Sequence, residues 1–89
     1  MLMSRAAIRV AVIDSLAEIV GLPAVQIADG DDLVNQVGLD SLNAANCLVA
    51  VEQRLGTRIP KGHEADLADV KTVGELIDRL MQAFGDEGG

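Results

Sequence analysis

The sequence predicts an all-α fold: a small bundle of three main helices plus a short one, with a long loop between the first and second. Three observations support this. Apolar residues recur at intervals of three and four along most of the chain. Alternation at period two is confined to short stretches such as Val25 to Ile27. The 89 residues make one domain at most.

The first helix is expected to begin near Ser4, a suitable N-cap, and to run through Ile8, Val12, Ile13, Leu16 and Val20, which form one stripe. Gly21 can end it, and Pro23 discourages continuation. The connector over residues 21–39 carries the acidic run Asp29-Gly30-Asp31-Asp32. Its apolar residues Leu22, Val25, Ile27, Leu33, Val37 and Leu39 are expected to pin it to the bundle. A second helix reads from Ser41 to about Leu55, with Asp40 to cap its free N–H groups and Gly56 to end it. Residues 58–62 break the pattern, and residues 64–69 leave room for a turn or two of helix. The last helix opens on the capping box Thr72-Val73-Gly74-Glu75 and continues through Leu76, Ile77, Leu80, Met81 and Phe84. Residues 85–89 are expected to fray. The chain therefore reads as one domain over residues 1–89 with an ordered core of about 4–84, no repeat and no interdomain linker.

Composition narrows the function classes. With 7 Lys+Arg against 14 Asp+Glu, the net charge is −7, which disfavours sequence-independent binding to nucleic acid and favours basic partners. Phe84 is the sole aromatic residue, so no platform of rings exists for stacking bases or flavins, and the core must be aliphatic. Cys47 has no internal disulfide partner and, with His63 alone, cannot complete a zinc site. Ser4, Arg5 and Arg9 interrupt the apolar character of the N-terminus, and no run approaches membrane-span length, so the chain is read as cytoplasmic and free of the membrane; a monomer is expected. A bundle this small has little interior volume for an enclosed active site, which puts any chemistry on its surface.

The segment Gly38-Leu39-Asp40-Ser41-Leu42 places a serine in the first turn of an amphipathic helix, where its hydroxyl is expected to be exposed. Unpaired N–H groups and the positive dipole end there tolerate an attached phosphate, although Asp40 would repel it unless a partner's metal or basic groups intervene. The plainer alternative is a helix start and nothing more. Ser41 has no evident general base and sits in no Gly-x-Ser-x-Gly elbow, which argues against a self-sufficient hydrolase. Counting about 100° per residue along this helix sends Ala44, Leu48, Val51 and Leu55 to the core, with Cys47 at its margin. Leu42, Ala45 and Val49 fall on a different side with Ser41 and Glu52, bordered by Asn46 and Gln53. This second strip is either covered by the long loop or open to a partner.

Other polar residues support less. Asp29, Asp31, Asn35 and Asp40 suggest a calcium loop, but Leu33 stands where an oxygen ligand is needed and Val34 where the turn glycine belongs. Cys47 reads as a small packing residue and His63 as part of a solvated loop. The acids at 29, 31, 32, 64, 66 and 69 read as solvated surface that attracts basic partners from a distance.

The motif Gly38-Leu39-Asp40-Ser41-Leu42, the amphipathic helix to Leu55-Gly56, the following Ile59-Pro60 and the final helix opened by Thr72-Val73-Gly74-Glu75-Leu76 resemble the 4′-phosphopantetheine attachment region of acyl carrier proteins. The resemblance covers nearly the whole chain. It implies that a separate phosphopantetheinyl transferase moves the phosphopantetheine of coenzyme A onto Ser41, with Asp40 supporting the motif. The arm's thiol would then carry an acyl group as a thioester. The domain itself would be no enzyme, since the transferase supplies the activation. The resemblance also makes the helix after the serine a recognition surface, here Leu42, Ala45, Asn46, Val49 and Glu52, for loading enzymes and downstream synthases or transferases. Asn43 and Asn46 depart from the acidic pattern of fatty-acid-synthesis carriers, which points to a dedicated carrier in a polyketide-like, fatty-acid-like or other secondary pathway. Two alternatives stand: an aminoacyl or peptidyl carrier, and a small helical interaction module with no prosthetic group.

Overall fold

A computed structural model of the chain describes residues 4–59 and 69–88, and for Ser41 and residues 85–88 it describes the backbone alone. The first helix, α1 (Arg5–Val20), starts where Ser4 Oγ accepts from the Ala7 N–H at 3.1 Å. It ends at Gly21, whose φ of 77° lets its N–H close on the Ala17 carbonyl. A short 3₁₀ turn follows at Ala24–Gln26. The second helix, α2 (Ser41–Leu55), is capped by Asp40 and ends at Gly56 with φ 70°. The third, α3 (Val73–Gly88), opens with Thr72 Oγ1 accepting from the Glu75 N–H at 3.1 Å. Among the described residues there is no strand, only an isolated bridge between Asp32 and Thr72.

The core is aliphatic, as the near absence of rings requires. Ile8, Val12 and Leu16 of α1 meet Val51 of α2 and Val73, Ile77 and Leu80 of α3, closed over by Ile27, Leu33, Val37 and Leu39 of the connector. Each such side chain contributes about 1.5–3 kcal/mol by leaving water. Helix α1 packs against both α2 and α3, and no comparable backbone approach joins α2 to α3 among the described residues. Ser15 lies on the same buried side of α1, its hydroxyl without a hydrogen-bond partner among the described residues.

The length of the connector has a geometric cause. The Arg54–Glu18 ion pair sets the last turns of α1 and α2 side by side, while the Arg9–Asp29 pair at 2.9 Å holds the middle of the connector against the first half of α1. The chain must therefore run back along α1 before α2 can start. On the way it is tied to the entrance of α3, where Gly74 N–H donates to Asp29 O at 2.7 Å, Val73 N–H to Asp31 O at 3.1 Å, and Leu33 N–H to Lys71 O at 2.8 Å. A Cβ at Gly74 would sit 3.1 Å from the Asp29 oxygen, so this close approach favours glycine. Arg5 adds an ion pair to Asp78 between α1 and α3.

Several sequence expectations need revision. Val25 does not pin the connector: it is 94% exposed, because the 3₁₀ turn that carries Ile27 inward turns Val25 out. Cys47 lies within the core and not at its margin, 1% exposed one turn before Val51, with Ala44, Leu48 and Leu55 half-buried on its flanks. Asp31 and Asp32 are turn builders more than solvated charge, accepting from the N–H groups of Ala28 and of Val34 and Asn35 respectively. Ala83, which the expected stripe of the last helix did not include, is buried on the core side of α3. The short helix expected at residues 64–69 lies, apart from Asp69 in a turn, outside the described residues, as does His63. No helix among the described residues is long and apolar enough to cross a membrane.

Candidate functional site

The approach to Ser41 is held by its flanks. Val37 and Leu39 are both buried, and Gly38 between them takes a left-handed φ of 86°. Backbone bonds hold these flanks: Val37 N–H donates to Asp32 O at 2.9 Å and Leu39 N–H to Leu33 O at 2.7 Å. Since the 29–33 segment is itself bonded to the start of α3, the entrance of α2 is referenced to another helix and not left to a free loop.

Asp40 then turns the chain into α2. Its backbone is extended, with φ −97° and ψ 177°. Its Oδ1 accepts from the Asn43 N–H at 2.8 Å, and its carbonyl accepts from the Ala44 N–H at 2.8 Å. Ser41 becomes the first helical residue, at the positive end of the α2 dipole, and the early N–H groups have no carbonyl of their own helix to meet. The expectation of an exposed serine hydroxyl concerns a side chain outside the described part.

The strip beside the serine is open. Leu42 is 73% exposed and Val49 51%, with Ala45, Asn46 and Gln53 also exposed, so the connector does not cover these residues. Glu52 differs from the rest: it is half-buried, and its Oε2 accepts from the Ile59 N–H at 2.7 Å, tying down the chain beyond Gly56. Val49 and Glu52 border a shallow cleft of about 590 Å³ that also includes Gln53, Thr57 and Arg58. The sequence reading missed Thr57 and Arg58. The αL glycine at 56, which folds the Thr57 N–H back onto Glu52 O at 3.2 Å, was the available signal.

Charge is sparse on this helix. Its only ionisable side chains besides the Cys47 thiol are Glu52, engaged with Ile59, and Arg54, paired with Glu18. Burial pushes the Cys47 thiol up to about 11, which keeps it protonated and unreactive near neutral pH.

A family model described as the phosphopantetheine attachment site matches residues 10–80. The chain belongs to the acyl carrier protein family. It is 33% identical to the acyl carrier protein of Saccharopolyspora erythraea over 74% of this chain and 66% of that one. Its identity to the acyl carrier protein of Thermobifida fusca is 31%, over 80% and 91% of the two chains. It also resembles acyl carrier protein MbtL of Mycobacterium tuberculosis, with 42% identity over 62% of each chain. Acyl carrier proteins hold 4′-phosphopantetheine covalently and act as carriers for other enzymes. The residues here fit that group: a serine opens α2 at its dipole-positive end, the neighbouring Asp40 and Leu42 are exposed, and nothing lies within 4 Å of a Cβ built at Gly38.

Proposed function

We propose that Ser41 is the attachment residue and that this acyl carrier protein serves a specialised pathway, carrying acyl intermediates between enzymes that dock along α2. The observation that supports the attachment residue is the Asp40-capped start of α2, which sets Ser41 at a helix end between two exposed residues. In the loading step the Ser41 oxygen forms a new bond to the phosphorus on the pantetheine side of coenzyme A. The diphosphate bond breaks, adenosine 3′,5′-bisphosphate leaves with the bonding electrons, and the serine proton passes to a base of the transferase. When attached, the arm supplies a thiol on which acyl groups travel as thioesters. Within this chain, Asp40 orients the helix entrance, and Leu42, Ala45, Asn46 and Val49 offer an apolar and amide surface to the enzymes. Glu52 shapes its lower end through Ile59.

The specialised role rests on the neutral character of that surface. Asn43 and Asn46 stand where carboxylates would form exposed ion pairs with basic partners, each worth about 0.2–1 kcal/mol. A basic fatty-acid-type enzyme therefore gains less from this carrier than from an acidic one.

Intact mass after incubation with coenzyme A and a broad-range phosphopantetheinyl transferase tests the attachment. The wild type gains one arm and Ser41→Ala gains none. No gain by the wild type, or equal gain by Ser41→Ala, would refute this assignment, and the first result would favour an interaction module without a prosthetic group. For the pathway, malonyl transfer by a fatty-acid malonyltransferase is expected to speed up about 2- to 30-fold in the Asn43→Glu/Asn46→Glu double variant. A wild-type rate already equal to that of a general fatty-acid carrier would count against the specialised role.

A further inference from the structure

Helix α1 carries apolar residues on two sides. One side, with Ile8, Val12 and Leu16, forms the core. The other presents Val10, 55% exposed, across from Val25 of the 3₁₀ turn, the most exposed large hydrophobic residue described. Between the two valines runs a groove of about 300 Å³, floored by the buried Ile13 and Ile27. A helix apolar on more than one side is the pattern of a buried helix, yet nothing in the described chain covers these valines.

The charges at the groove say what would cover it. Arg9 lies on one lip, but its guanidinium is paired with Asp29 at 2.9 Å. Arg5 and Glu18, the other charged residues of α1 apart from Asp14, are paired with Asp78 and Arg54. Asp14 lines the groove and makes no ion pair among the described residues. The groove thus offers aliphatic surface and one uncompensated negative charge on a chain of net charge −7. Both features favour a cationic, aliphatic occupant, and the net charge disfavours a second copy of this chain.

We propose that this groove docks an amphipathic helix of a partner protein, with an aliphatic side chain seated between Val10 and Val25 and a Lys or Arg beside Asp14. Helix-in-groove docking suits an apolar furrow without a free strand edge. The groove shares no residue with the α2 strip, so one protein could hold the carrier by α1 while another works at the α2 end. Such tethering would raise the effective concentration of the carrier at its enzymes.

A synthetic amphipathic helix of Leu and Lys serves as the probe, titrated into the full-length isotope-labelled protein and followed by amide chemical shifts. Shifts are expected at residues 6–14 and 24–27. Val25→Asp should weaken binding about tenfold or more, and Asp14→Asn about two- to fivefold. Val10→Asp gives a second apolar test. Each variant is checked for unchanged helix content and unchanged arm attachment. Shifts centred on α2, no binding at all, equal binding of a Leu and Glu helix, or the same shifts produced by raising protein concentration alone would each overturn the proposal.

Discussion

Attaching the arm gives the protein a second thiol besides Cys47, and burial should make the two differ sharply in reactivity. Cys47 is 1% exposed, with its thiol pushed up to about 11 from an ordinary value of 9.0. Thiolate is the reactive form, so at pH near 8 this shift alone lowers the reactive fraction about 100-fold. Exclusion of the reagent by the packed core lowers it further, because alkylation then requires the bundle to open. Iodoacetamide followed by intact mass reads the outcome. Folded apo protein should remain unlabelled while denatured protein takes one label at Cys47, and the loaded form should take one label on the arm. Folded apo protein labelled as fast as denatured protein would refute the burial and the shift together. The same shift has a stability consequence. The folded-state value lies above the unfolded one, so the contribution is complete below about pH 9 and is lost as pH rises toward 11. The loss between the two values amounts to roughly 2–3 kcal/mol. Denaturant melts near pH 7 and pH 10 check it, and Cys47→Ala should flatten the alkaline loss.

Asp40→Ala removes the α2 cap and is expected to cost about 1 kcal/mol in a urea melt, while Asp40→Asn retains most of the stability because an amide oxygen can still accept from Asn43. Ser15→Ala deletes a buried hydroxyl that meets no partner among the described residues and is expected to stabilise the protein by about 1–3 kcal/mol. The melting temperature should rise by about 4–8 °C for each kcal/mol; an unchanged or lowered value would mean the hydroxyl is bonded in solution. Val49→Asp should impair transfer with partner enzymes while helix content by circular dichroism stays nearly constant. Loss of the fold instead would contradict the exposure of Val49.

What was legible in the sequence was what local chemistry controls. Ser4, Asp40 and Thr72 marked the three helix starts because a short polar side chain can reach an N–H three residues ahead, a bond made within one turn. Gly21 and Gly56 marked two ends because each takes a positive φ that other residues resist. The motif around Ser41 was legible for the same reason: the cap, the serine and the exposed Leu42 are neighbours along the chain. The carboxylates of Asp31 and Asp32 read as solvated surface in the sequence, because their acceptor role depends on turns that a charge count does not show.

The sequence by itself determined the three described helices, the polar residues that open them and the presence of two apolar faces on α2. Tertiary structure decided which apolar residues were covered, since that depends on where distant segments return. The path of the connector back along α1, held by Arg9–Asp29 and by the bonds to Lys71, Val73 and Gly74, buries Ile27 and Leu33 yet leaves Val25 and Val10 in the open. Packing of α1 against α2 likewise drew Cys47 into the interior and left Leu42 and Val49 outside. Burial is a property of pairs far apart in the chain, and periodicity within one helix cannot say which of its faces will find a partner.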